Sequence, residues 1–374
     1  MIRTPLVRAV GAGALLLLTG LAFAAPADRI YRTTGGRAVV VDSVTSDQWD
    51  EVKYKKGAND LNFPGMTVRS IEYGDTPESF TVALQKRDAG EYENAVSLLK
   101  AAQSDGKVRP WIKVAAPFEI AKTYLAWGGK DKSKFDLAVK AFDEALAANA
   151  KSRLRPEILA GRAQANLGAG HLDAAIKDYE ALEKEAYDNK YGVRWELRAL
   201  AEKAAALDDG GKGDEAKREY GRLEKSARGF TGNAELDAAD KAFAAEMAGV
   251  ARLAQGRVMI RDNKAADAER FFDQIVKDAN EVEPVRASAL VGKGEALHKL
   301  GKLKDAQFCL AQVRIKYASA ADAVAEATYR LGLVSLDLGA AEPKGAKLAQ
   351  DYFLEVVSRF GSSRWARLAQ DKLR

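Results

Sequence analysis

"GVARLAQGRVMIRDNKAADAERFFDQIVKDA", Gly249 to Ala279, is the stretch that decides the fold. Ala268 follows Gly256 by twelve residues, and Phe272 follows Ala268 by four. Two antiparallel helices approach to about 8–10 Å only where their contact positions are small, so Gly256 is expected to face Ala268 across a hairpin. Phe272 then lies one turn along the same face and fills the groove against the next unit.

The same beat returns along most of the chain. The small residue opening each second helix is Ala95, Ala138, Ala175, Ala216, Ala268, Ala306 and Ala349. Four residues on stand Leu99, Phe142, Tyr179, Tyr220, Phe272, Leu310 and Phe353; three further come Ala102, Ala145, Leu182, Leu223, Ile275, Val313 and Val356. Twelve before the alanine sit Ala83, Ala163, Ala204, Gly256 and Gly294, and about five extra residues move the equivalents in two copies to Ala121 and Gly332. One hairpin leaves an apolar face wet and a stack of hairpins buries it, so the repeats specify a solenoid. A generic Ala-rich bundle does not explain seven returns of the triplet.

With copies such as "LVGKGEALHKLGKLKDAQFCLAQV", the chain resembles the tetratricopeptide repeat family over residues 76–374. The resemblance implies a mainly α solenoid of about seven helix hairpins and a capping helix that begins at "FGSSRWARLAQDKLR". Ser362 or Ser363 is expected to cap that last helix, with Trp365 and Leu368 packed inward. The repeat interval departs from the family by wandering between 37 and 52 residues, and the usual first-helix Trp and repeat-end Pro are mostly missing. "VVSRFGSSRWARLAQDKL" is similar to junctions in exported tetratricopeptide proteins of the Gram-negative envelope, of the Tol-Pal-associated and outer-membrane-assembly types. "VRSIEYGDTPESF" running into "GEYENAV" resembles exported proteins with a small β domain ahead of repeats.

Ahead of the helices the texture differs. "RAVVVDSV", "QWDEVKYKK" and "MTVRSIEYG" alternate in period two and are separated by "TSD" and "GANDLNFPG", which predicts four or five short antiparallel strands. Residues 26–75 then form a small SH3-like β domain, too small to be stable alone and expected to dock on the helical repeats. Trp49, Tyr54, Phe63 and Tyr73 are read as core filling rather than a binding face. "GDTPESF" places Thr76 as N-cap and Pro77 as first residue of the opening helix.

Residues 1–24 read as a signal peptide: Arg3 and Arg8 precede the apolar "AVGAGALLLLTGLA", and Ala22 and Ala24 are the small residues before cleavage. No Cys stands near that site, so a lipoprotein is not expected, and no membrane segment remains after removal. The location implied is periplasmic or secreted. Without Arg3 and Arg8 the chain carries 56 basic against 53 acidic residues, a spread-out balance that argues against nucleic acid. Cys309 is the only cysteine and reads as a buried thiol; no intrachain disulfide forms.

No reaction is announced. HExxH, CxxC, GxSxG and GxxxxGK[ST] are all absent, and two His with one Cys supply too few ligands for a zinc site, so no catalytic residue, metal or cofactor is expected. "LDDGGKGDE" lacks the alternating ligands of a calcium loop and reads as an inter-helix turn, and His171 sits in another turn. The family register places Phe118, Lys122, Leu253, Arg257, Ile260, Val291, Glu295, His298, Tyr329, Leu333 and Leu336 on the concave groove. Apolar residues flanked by Arg, Lys and Glu suit a protein or peptide partner. The function expected is a non-enzymatic envelope scaffold. The alternative is a glycan-associated accessory protein marked by exposed Trp111, Trp127 and Trp195.

Overall fold

The computed structural model describes residues 26–339, 343–361 and 363–374, so the predicted leader and Ser362 lie outside the described residues. Among the described residues, seven hairpins follow the β unit. They pair α1 (Glu78–Asp88) with α2 (Tyr92–Gln103), α3 (Ile112–Gly128) with α4 (Phe135–Ala148), and α5 (Arg155–Gly168) with α6 (Leu172–Asp188). Next come α7 (Val193–Asp209) with α8 (Gly213–Thr231), and α9 (Ala238–Arg261) with α10 (Ala265–Lys277). The last are α11 (Glu283–Lys299) with α12 (Leu303–Lys316), and α13 (Ala321–Leu338) with α14 (Pro343–Arg359), capped by α15 (Arg364–Leu373). The architecture is a mainly α, tetratricopeptide-type solenoid behind a small antiparallel β unit. No helix of the described residues is long and apolar enough to cross a membrane.

Every repeat alanine from Ala95 to Ala349 is fully buried, as are the small first-helix residues Ala83, Ala121, Ala163 and Ala204. What they make room for is the bulky residue. A Cβ placed on Gly292 would stand 2.5 Å from the Phe272 ring, and one on Gly256 would press on the same ring. The atoms nearest Gly256 are therefore those of Phe272, not Ala268 as the spacing suggested: a ring is wider than a methyl and takes the space first. Phe272 is clasped between α9 of its own hairpin and α11 of the next. Phe142 fills the equivalent space at Gly161, Phe353 at Gly332 and Leu310 at Gly294. The 52-residue interval is absorbed by the length of α8 and α9, 19 and 24 residues, while the twelve-residue step from Gly256 to Ala268 is kept.

Two three-stranded sheets make up the β unit. One has the order β2 (Val39–Val41), β1 (Asp28–Arg32), β6 (Val68–Glu72); the other runs β3 (Ser43–Asp47), β4 (Glu51–Lys56), β5 (Asn59–Pro64). Sequence reading missed β1 and took β5 for a loop. The "NDLNFP" edge strand is almost wholly exposed and has no apolar alternation to read. Tyr54, Phe63 and Tyr73 pack in or against the small core as expected, with Tyr54 and Phe63 stacked at 5.0 Å. Trp49 instead leaves it to meet the helical unit. Thr76 is not the cap of α1: its hydroxyl donates to Tyr73 O at 2.5 Å, and the helix starts after Pro77. At the other end Ser363 does cap α15, its Oγ accepting from Ala366 N at 3.2 Å. Trp365 packs inward, but Leu368 stays 42% exposed and Ala369 fills the inner face instead.

The clasp predicts opposite effects from one type of substitution. Gly161→Ala must displace the Phe142 ring and should lower stability by about 1–3 kcal/mol. Gly221→Ala, in a helix with open space around it, should raise stability by roughly 0.5–1 kcal/mol through helix propensity alone. Thermal melts of the two variants against the parent check both signs.

Candidate interaction clefts

The β unit is carried by three successive inter-hairpin turns. Arg109, before α3, donates to the buried Asp28 carboxylate at 2.8 and 2.6 Å, to Asp75 at 2.7 Å and to Val44 O at 3.4 Å. Arg153, before α5, donates to Asp47 at 2.8 Å and to the carbonyls of Val68 and Arg69 at 3.3 and 3.4 Å. Between α6 and α7, Tyr191 meets the Trp49 ring edge-on at 5.8 Å, and Trp49 N donates to Lys151 O at 3.0 Å. Tyr73 stacks on Trp111 at 4.4 Å with the planes 3° apart, and the Trp111 indole donates to Asp75 at 3.0 Å. Breaking a buried ion pair by removing one partner costs about 3–5 kcal/mol, so these arginines fix the β unit on the rim of the solenoid. A cleft of about 1380 Å³ remains between it and helices α1 and α3.

A second cleft, about 480 Å³, lies among the first helices α9, α11 and α13. One wall is apolar, with Val250, Leu253, Ala254 and Ile260 from α9. Opposite runs an ion ladder. Arg257 of α9 reaches across α11 to buried Glu326 of α13 at 3.0 Å; Arg330 binds Glu326 at 2.9 Å and Glu295 at 2.8 Å. Glu326 is thus held by two guanidiniums, which is what lets a carboxylate sit buried. Arg261 pairs with Asp208 at one end. At the other end the Arg364 guanidinium lies 4.3 Å over the Trp365 ring, whose surroundings also include Arg330 at 5.5 Å. Burial, with Asp208 and Asp209 beside it, pushes the Tyr220 phenol at this cleft up to about 12.

The structure divides the groove residues expected from sequence. Leu253, Arg257, Ile260 and Glu295 come together in the α9–α13 cleft. Phe118 and Lys122 line the other one, with Lys122 Nζ 4.9 Å over the Phe118 ring. Val291 is fully buried in the inter-repeat core, and Tyr329 is buried against Phe353 and Trp365 at 5.7 and 5.5 Å; neither faces a cleft. Tyr329 turns inward because α15 covers it, a contact the repeat register alone does not contain. Leu333 packs on that same C-terminal core, while Leu336 is exposed. His298 has a carboxylate partner that helical spacing did not offer: its Nε2 is 2.6 Å from Asp337 Oδ2 on the next first helix. Glu326, Arg330, Arg261 and Arg364 were not expected. The Glu326–Arg330 spacing of one helical turn was the available signal, an ordinary surface pair until burial is known.

Other singled-out residues also find places. Asp208 of the acid-glycine stretch lies at the end of α7 and Gly211 turns the chain with φ of 77°, so the segment is an inter-helix turn. Burial raises the Cys309 thiol. Among the described residues no group of three His, Cys, Asp or Glu is arranged to hold a metal.

No family model matches the chain, and no curated protein does. Similar solved structures include RapI in its apo form, at 10% identity and TM-score 0.49 over 78% of this chain and 79% of that one. A tetratricopeptide repeat protein from Parabacteroides merdae shows 17% identity and TM-score 0.48 over 79% and 98%. The C-terminal part of a TPR repeat-containing protein from Cytophaga hutchinsonii shows 12% and 0.44 over 79% and 99%. Likenesses this distant carry no functional argument.

Acid should loosen the β unit at a defined point. Burial alone would raise the Asp75 carboxyl, but hydrogen bonds from the Arg109 side chain and backbone and from Trp111 overcome it and hold it at about 2, against an ordinary 3.8. A depressed folded value means the stabilisation is complete above about pH 4 and is lost as pH falls through about 2. Trp emission should therefore show a reversible step between pH 4 and 2 that Asp75→Asn abolishes.

Proposed function

We propose that the protein is an exported, non-enzymatic adaptor that holds a protein or peptide partner against the inner face of its solenoid. The observation that carries this reading is the α9–α13 cleft, with an apolar wall on α9 and a compensated ion ladder that joins α9, α11 and α13. Such a surface sets apolar anchors beside oriented charges, the anatomy of a recognition site rather than of bond chemistry. Export rests on the positive, apolar and small-residue order of residues 1–24, and a role in the cell envelope follows from that location.

Glycan binding gains no support from the tryptophans that would mark it. Trp111 is covered by Tyr73, Trp127 stacks with Tyr92 at 5.9 Å and Tyr124 at 6.2 Å, and Arg198 lies 5.2 Å over Trp195. Platforms for sugar rings need an open face, and these are already engaged within the chain.

Val250 and Arg364 are exposed at the cleft, so Val250→Glu with Arg364→Glu should leave the melting temperature unchanged. Crosslinking in intact envelopes followed by mass spectrometry should yield one reproducible protein partner with the parent chain. The double variant should lose it by roughly tenfold or more. Recovery of the same partner at the same yield from the double variant would sink the reading.

A further inference from the structure

The larger cleft, between the β unit and the first helices α1 and α3, lies apart from the α9–α13 cleft and calls for its own reading. Its volume of about 1380 Å³ exceeds the roughly 300–1,000 Å³ of small-molecule pockets, which suits a chain segment. It is preformed, because Arg109 and Arg153 pin the wall that faces the helices. That wall contains β3 and β6, each the edge of its sheet, so strand addition is the first mode to test against the geometry. The edges are partly closed to it. Arg109 occupies Val44 O, the Asp28 carboxylate accepts from Val44 N at 2.6 Å, and Arg153 occupies the carbonyls of Val68 and Arg69. Recognition therefore falls to side chains.

Those side chains have two characters. Leu84 of α1 and Val114 and Phe118 of α3 give the cleft an apolar floor. Around it stand cations with little to neutralise them. Lys113 and Arg69 are exposed and have no carboxylate within ion-pair distance among the described residues. Lys122 has Glu119 as its one carboxylate and shares it with Arg87, which also pairs with Asp88 at 3.0 Å. The uncommitted acid on the lining is the exposed Glu157. We propose that this cleft is a second recognition site and takes an extended segment of a partner protein in which acidic side chains alternate with apolar ones. The acids meet Lys113, Lys122 and Arg69, and the apolar groups meet the floor.

The test uses the full chain and two blocked dodecapeptides, one of alternating Glu and Leu and the other of alternating Lys and Leu, followed by calorimetry. The Glu peptide should bind and the Lys peptide should bind at least about tenfold more weakly. Lys113→Glu with Arg69→Glu, both at exposed positions, should weaken the Glu peptide by about tenfold or more. Val250→Glu with Arg364→Glu should leave its affinity unchanged, which separates this site from the α9–α13 cleft. Equal binding of the two peptides, or no effect of the Lys113 and Arg69 reversals, would overturn the proposal. So would a sulfated polysaccharide or an anionic phospholipid vesicle that binds as tightly as the Glu peptide and shows the same sensitivity to the reversals.

Discussion

An aromatic ring held where two glycines carry no side chain is the contact on which the rest of the molecule depends. Phe272 rises from α10 into space left by Gly256 and Gly292, on first helices of two neighbouring hairpins. The ring thereby does two jobs: it closes its own hairpin and sets the distance to the next. Close-packed interiors do not deform continuously, so a contact made this tightly fixes the orientation of one unit on another. Leu310 and Phe353 meet the glycine of their own hairpin, and Phe142 meets one on the following hairpin.

Once first helices are drawn together on one side, their remaining side chains must face each other. The ion ladder shows how near they come: Arg257 bonds to Glu326, two hairpins further along, at 3.0 Å. A buried carboxylate with two arginines is not a cheap way to gain stability, since an apolar substitute would serve as well. Its value here is directional. It ties α9 to α13 and presents the apolar side of α9 to whatever enters between them. The β unit extends the same logic at the other end, where Arg109 and Arg153 exchange solvent for strand-edge carbonyls and aspartates.

The repeat was readable because its cause is local. Ala268 and Phe272 are fixed relative to one another by helical spacing, and Gly256 to both by the short turn between α9 and α10, so their recurrence announces hairpins without any tertiary knowledge. The clefts were half readable. Leu253, Arg257, Ile260 and Glu295 follow from the register, but Tyr329 does not, because a capping helix that ends the array changes which face is wet. Arg109 and Arg153 were silent for a different reason: each stands in a turn near other basic residues, Lys107 by the first and Lys151 and Arg155 by the second, and nothing in the sequence distinguishes a buried pin from a solvated side chain. Strand β5 was missed because an exposed edge has no reason to alternate.

A double-mutant cycle on the ring and its neighbour tests the central claim most directly. Gly292→Ala is measured by thermal melting in the parent and in the Phe272→Leu background. If the glycine is there to admit the ring, the added methyl should cost stability in the parent, and that cost should shrink or reverse once the ring is gone. An equal cost in both backgrounds would mean that Gly292 and Phe272 act independently, and the stack would then owe its geometry to something else.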